Sequence, residues 1–203
     1  MNPEKLRPIG WKPFFQQQVT FEEMAGGVAA RVSAHHGSHV LLLGEDGEFS
    51  VPVQLVESRT SPGDLAVGDW LLLEPETHRA IRRLKRTTLL SRKAAGEEVK
   101  PQPVAANIDT MFIVSSCNQD FNPSRLERYL ALALESGAVP VVVLTKADLC
   151  DSPTEFRQQA ERLHAGLLVE TLDARNGKQV AVLTCWCGPG QSVALLARAL
   201  LRA

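Results

Sequence analysis

VPVVVLTKADL, residues 139–149, is the stretch on which the fold turns. A run of valines and one leucine ends abruptly in a threonine, a lysine and an aspartate. A continuous apolar run of this length suits a strand buried on both faces, as in a parallel sheet. Ligands of open α/β sheets bind just outside the carboxyl ends of the strands. Thr145, Lys146 and Asp148 therefore stand where polar side chains meet a ligand.

Working outward, TMFIVSSC (110–117) is a second buried strand. NPSRLERYLALALESGA (122–138) is a helix with Asn122 as N-cap, Pro123 in its first turn and Gly137 as its stop. PTEFRQQAERLHAGL (153–167) is another helix, LLVETLD (167–173) a short strand, and GPGQSVALL (188–196) one more. Strands alternating with helices predict an α/β domain over 105–203, built on a mainly parallel sheet covered on both faces.

The N-terminal half follows a different rhythm. After an extension over 1–26, residues 27–75 read as short strands cut by turns: GVAARVSA, HVLLLG, FSVPVQL and DWLLLEP, with HHGS and EDGE between them. A small all-β barrel of the oligonucleotide-binding (OB) type fits this pattern. The histidines of HHGSH (His35, His36, His39) read as a solvated hairpin turn rather than a ligand set. From 76 to 104 runs a basic linker, with eight Lys and Arg between Arg79 and Lys100 offset only by Glu97 and Glu98. Two readings of it stay open: a solvated connector, or an RNA-binding surface of Arg79, Arg82, Arg83, Lys85, Arg86, Arg92 and Lys93 against phosphates.

Composition narrows the function. The 203 residues are 44% hydrophobic and carry a net charge of -1, so any attraction for nucleic acid is local. The first residues, MNPEKLRPIGW, lack the apolar core of a secretory signal, and no apolar run is long enough to span a bilayer. With four scattered cysteines, a soluble cytoplasmic protein is expected. Cys185-Trp-Cys187 does not have the spacing of a zinc-binding pair.

The chemistry of the strand end is specific. A carboxylate at Asp148 can accept two hydrogen bonds at once from a guanine edge, the ring N–H and the exocyclic amine, and adenine lacks that pair of donors. Lys146 can lay its alkyl stem along the face of the base. TKAD, residues 145–148 with Ala147 between the lysine and the aspartate, resembles the NKxD guanine motif in a threonine variant. Together with VGDW, RTTLLSRKAAGEE, VAANIDTMFIV and DFNPSRLERYLALALESGAVPVVVLTKADL, in that order, it resembles the circularly permuted, small-ribosomal-subunit-dependent GTPase family over nearly the whole chain.

That resemblance implies a fold and a function. The fold is an OB barrel followed by a partial P-loop GTPase-like α/β domain in which the guanine motifs precede the phosphate loop. The function is GTP binding and hydrolysis during small-subunit maturation, with GTP or GDP as ligand, the small ribosomal subunit and its rRNA as partners, and a monomeric state. The family's second guanine element, a loop over the base carbonyl, falls on Thr171 and Leu172. Its phosphate loop, GxSGVGKS, has two possible alignments here. In one, CWCGPGQS is the loop, with Gly188, Gly190 and Ser192 kept and Gln191 in place of the lysine. In the other, GPGQSVALL is the turn and strand leading up to the loop. In either alignment the loop lysine is missing from these residues, as are DxxG, the switch threonine and a zinc-binding domain, so the text resembles a truncated member that does not hydrolyse GTP. Mg2+ and Zn2+ are expected for the intact family member only. The alternative reading is a nucleotide-independent RNA- or ribosome-binding module.

Overall fold

Between Val28 and Pro52 apolar side chains fall largely on alternate residues, and the chain forms three antiparallel strands: β1 (Val28–His36), β2 (His39–Gly44) and β3 (Gly47–Pro52). In the computed structural model, residues 1–57, 63–93 and 101–197 are described. They divide into two units: Met1–Ile108 with Pro189–Gln191, and Asp109–Gly188 with the segment from Ser192 onward.

The first unit adds β4 (Trp70–Leu73) and β5 (Ala80–Arg83), giving one antiparallel sheet in the order β3-β2-β1-β4-β5. Its core is Ala30, Val32, Val40, Leu42, Val51, Leu71, Leu73 and Ala80, closed by Val56 of α4 (Val53–Glu57) and by Leu65. This is the OB-like barrel expected, with two differences. The end of VPVQL is helical rather than extended. The fifth strand comes from the segment read as linker, which also holds β6 (Leu89–Lys93) and most of β7 (Pro101–Ala106), a second antiparallel pair.

Residues 1–26 form α1 (Pro3–Leu6), α2 (Pro13–Gln16) and α3 (Phe21–Gly26). Leu6, Trp11 and Phe15 bury themselves against Ala29, Trp70 and Leu84, with Trp11 edge-on to Trp70 at 4.8 Å. The extension is thus a second hydrophobic layer on the barrel. A polar hub joins its parts. Arg31 donates to the carbonyls of Ile9 (2.7 Å), Gly68 (3.3 Å) and Asn107 (3.2 Å). Asn107, itself left-handed at φ 58, donates to Gly68 O and accepts from Thr87 N–H and Oγ1. Gly68 is obligatory: φ is +93, and an added Cβ would lie 2.1 Å from the Ala106 carbonyl oxygen.

The second unit is a four-stranded parallel sheet in the order β10-β9-β8-β11, where β8 is Thr110–Ser116, β9 Val139–Thr145, β10 Leu168–Thr171 and β11 Val193–Ala197. α5 (Pro123–Ser136) begins at Asn122, whose side chain accepts from Arg125 N–H, and closes at Gly137 in the left-handed region, as its cap residues indicate. It packs on β8 and β9, while α6 (Pro153–Glu161) packs on β9 and β10. Phe112, Val141, Val143 and Leu172 on the other face meet Val180 of α7 (Gly177–Val180) and Leu183 and Trp186 of the following 3-10 turn. Both faces of the sheet are therefore covered, which is why its strands read as unbroken apolar runs.

Candidate functional site

β9 delivers Thr145 to the carboxyl edge of the sheet, where the chain turns sharply. Thr145 Oγ1 donates to Ser115 O (2.9 Å) and its carbonyl accepts from Cys117 N–H (2.9 Å), so the strand end is tied to β8 through both side chain and backbone. Lys146 then takes φ 59, ψ 30, a left-handed conformation uncommon for a non-glycine residue. The kink is clasped from β10: Leu172 N–H donates to Leu144 O (2.9 Å) and Ala147 N–H to Leu172 O (3.4 Å). This reversal throws Lys146 and Asp148 outward into a one-turn 3-10 helix, Ala147–Leu149.

Thr171 and Leu172, expected in the second guanine element, stand at the end of β10 beside this kink. The Thr171 hydroxyl is enclosed without a hydrogen-bond partner, and the Leu172 side chain is buried in the sheet core. The Leu172 backbone makes the clasp, and the side chain that reaches the Asp148 carboxylate is that of Arg175. Arg175 Nη2 donates to Asp148 Oδ2, and its Nε donates to Asp173 Oδ1 at 3.1 Å. Hydrogen bonds from the Arg175 backbone and side chain hold the Asp173 carboxyl below the usual range. Neither partner was signalled locally, because the contact closes a 27-residue separation.

Beside Lys146 an open pocket of about 150 Å³ sits over the ends of β8, β9 and β11, lined by Ser115, Ser116, Asp120, Arg125, Thr145 and Lys146 among others. Gly188 and Ser192 are not part of it. Ser192 enters β11 from the amino edge, where its N–H donates to Asp109 Oδ2 (2.9 Å) and its carbonyl accepts from Asp109 N–H (2.8 Å). Gly190, at φ +78, lies against Arg7 and Pro8, where a Cβ would come within 2.6 Å of a carbonyl oxygen. QSVALL is a parallel strand beside β8, so GPGQS precedes a strand, whereas a phosphate-cradling loop follows one.

The basic residues divide. Arg82 grips Glu23 through two hydrogen bonds (2.9 and 3.0 Å), holding that carboxyl down to about 2. Arg86 grips the fully buried Asp69 the same way (2.7 Å twice), and Arg83 pairs with Asp64 at 2.9 Å. These three arginines, expected as phosphate contacts, are bound to carboxylates of their own unit. Arg79, Lys85 and Arg92 are exposed. Lys93 lies in β6.

Cys117 is buried, Cys150 half-buried, and Cys185 and Cys187 exposed; all are free thiols. Among the described residues no group of three or more His, Cys, Asp and Glu side chains is placed to hold a metal. Nor is any described helix long and apolar enough to cross a membrane.

Comparison with known proteins settles the lineage. The family model described as RsgA GTPase matches residues 83–196. The chain belongs to the RsgA GTPase family. A small ribosomal subunit biogenesis GTPase RsgA 2 of Vibrio parahaemolyticus is 46% identical over 96% of this chain and 52% of its own length. A small ribosomal subunit biogenesis GTPase RsgA of Mesorhizobium japonicum is 43% identical over 94% of the chain and 54% of its own. The chain thus spans about half the length of these RsgA relatives. Among solved structures, YjeQ from Thermotoga maritima superposes with a TM-score of 0.64 at 17% identity, covering 86% of this chain and 61% of that one. YloQ, titled a circularly permuted GTPase, gives 0.62 at 19% identity over the same shares of the two chains. The fold of YjeQ and YloQ is therefore shared over 86% of this chain.

Proposed function

We propose that this chain carries the guanine-recognising half of a GTPase that acts in small ribosomal subunit maturation in the cytoplasm, as a monomer, with its barrel unit turned to rRNA. The observation that carries the reading is Asp148, a carboxylate projected from the carboxyl edge of a parallel strand by a left-handed lysine and clasped by the adjacent strand end. Such a group pairs with the two donors of a guanine edge and offers adenine nothing equivalent. Lys146 supplies an alkyl stem for the face of the base, and Thr145 braces the turn through Ser115 O in the place where an asparagine stands in NKxD. The names of the relatives, biogenesis GTPases of the small subunit, supply the process.

In the same reading residues 188–192 lie upstream of the phosphate loop and do not form it. Base recognition then rests on these residues while phosphate chemistry does not, so the 203-residue chain binds guanine nucleotide weakly and does not turn it over. GDP and ADP titrated in parallel against the chain test this. Saturable GDP binding with ADP silent supports the reading, and equal binding of both rejects it.

For RNA the exposed Arg79, Lys85 and Arg92 are the contacts we propose, with Lys93 beside them in sequence. The second reading, a nucleotide-independent RNA-binding module, draws on one fact: no GxxxxGK[ST] occurs in the 203 residues. RNA binding that is indifferent to GDP would favour it.

A further inference from the structure

We propose that Arg175 takes the place of a guanine edge on Asp148, so that arginine and nucleotide compete for one carboxylate. The inference rests on the guanine reading of Asp148 and adds to it a residue that sets affinity. A guanidinium is planar and presents neighbouring N–H donors in a fixed fork, the same hydrogen-bond offer that guanine makes with its ring N–H and exocyclic amine. Arg175 brings one donor of that fork, Nη2, to Asp148 Oδ2, where a guanine donor would have to sit, while its Nε is held by Asp173.

The turn that carries it is built to hold it there. Asp173 Oδ1 accepts from both the Arg175 backbone N–H (3.0 Å) and its Nε (3.1 Å). The turn is closed by Asp173 N–H to Gln179 Oε1 (2.7 Å) and by Asn176 N–H to Asp173 O (3.0 Å). Asp173, and after it Asp148, push the guanidinium pKa up. The Arg175 side chain is nevertheless 72% exposed, and an ion pair this open is weak and salt-screened. It can be displaced, and its effect is a tax on affinity set by the fraction of molecules in which Asp148 is engaged.

Ordinary electrostatics and this competition make opposite forecasts. Deleting a cation beside an anionic ligand should weaken binding, whereas deleting a competitor should strengthen it. GDP and ADP are titrated by calorimetry or by amide chemical shifts against the full chain, Arg175→Ala, Asp148→Asn and the double variant. Far-ultraviolet circular dichroism serves as the fold control. Arg175→Ala is expected to bind GDP roughly two- to fivefold more tightly, the range an exposed ion pair allows. Adenine nucleotide should be unaffected, and the gain should shrink from low to high salt. On the Asp148→Asn background, probed with xanthosine diphosphate, removing Arg175 should bring no comparable gain. If Arg175→Ala binds GDP no better or less well while Asp148→Asn still moves preference toward xanthine, Arg175 is not a competitor and the guanine reading survives. If the unmodified chain and Arg175→Ala both fail to distinguish GDP from ADP, the guanine reading falls and this inference falls with it.

Discussion

Lys146 is held in a left-handed conformation because both flanks are pinned, Thr145 to β8 and Ala147 to the end of β10. That backbone kink carries Lys146 and Asp148 out from the strand terminus. The polar triplet was legible because its members fall within the four residues 145–148 and follow an apolar run. Asp173 and Arg175 were not, since their roles arise only when β10 is laid beside β9, and no pattern within either segment encodes that pairing. Two residue-level outcomes follow. Glu23 is held down to about 2, chiefly by its hydrogen bond with Arg82. A depressed carboxylate stabilises the fold above its unfolded pKa, near 4.5, and that contribution is lost as pH falls toward 2. Denaturant midpoints measured from pH 6 to pH 2.5 should fall, and Glu23→Gln should be less stable at pH 6 and flatter across this window. Among the thiols, burial pushes Cys117 up to about 11. Timed alkylation at pH 7.5 with mass analysis should therefore modify Cys185 and Cys187 first and Cys117 last. Early loss of Cys117 would contradict its burial.

At the scale of elements, α5 and β9 could be read directly, because capping by Asn122, the stop at Gly137 and the valine run are all local signals. The span from 76 to 104 reads as a basic linker, either solvated or facing phosphates, because its positive charge is dense and its partners lie elsewhere in sequence. Asp69 and Asp64 sit about one loop upstream and Glu23 in the N-terminal extension, and they tie down β5 and the segment that leads from it to β6. Asp69 is completely buried with Arg86 on both its oxygens and Ala66 N–H on Oδ2. Arg86→Ala would take away the main partner of that carboxylate and leave only Arg83 Nη1, 3.6 Å from Oδ2, as a cation beside it, so urea unfolding should show a loss of about 3–5 kcal/mol. A loss below about 1 kcal/mol would mean the pair behaves as a surface bridge. Asn107 makes three side-chain hydrogen bonds around the hub, and Asn107→Ala should cost about 1–3 kcal/mol by leaving buried groups unpaired.

For the whole molecule, a net charge of -1 means that any RNA affinity has to come from a few exposed cations. If Arg79, Lys85 and Arg92 contact phosphates, replacing all three with Gln should flatten the log-log salt slope by roughly two to three, at about 0.7–0.9 per contact. An unchanged slope in the folded variant would remove them from the interface. The central claim is narrower and concerns one carboxylate at the end of β9. Its most direct test is the base preference of Asp148→Asn, measured by competition among GDP, ADP and xanthosine diphosphate on the folded chain. An asparagine there replaces one acceptor oxygen with a donor amide, which suits the xanthine carbonyl and opposes the guanine amine. The account predicts that the unmodified chain prefers GDP and that Asp148→Asn loses GDP and gains xanthosine diphosphate. Retention of GDP preference by Asp148→Asn, with no gain for xanthine, would contradict it.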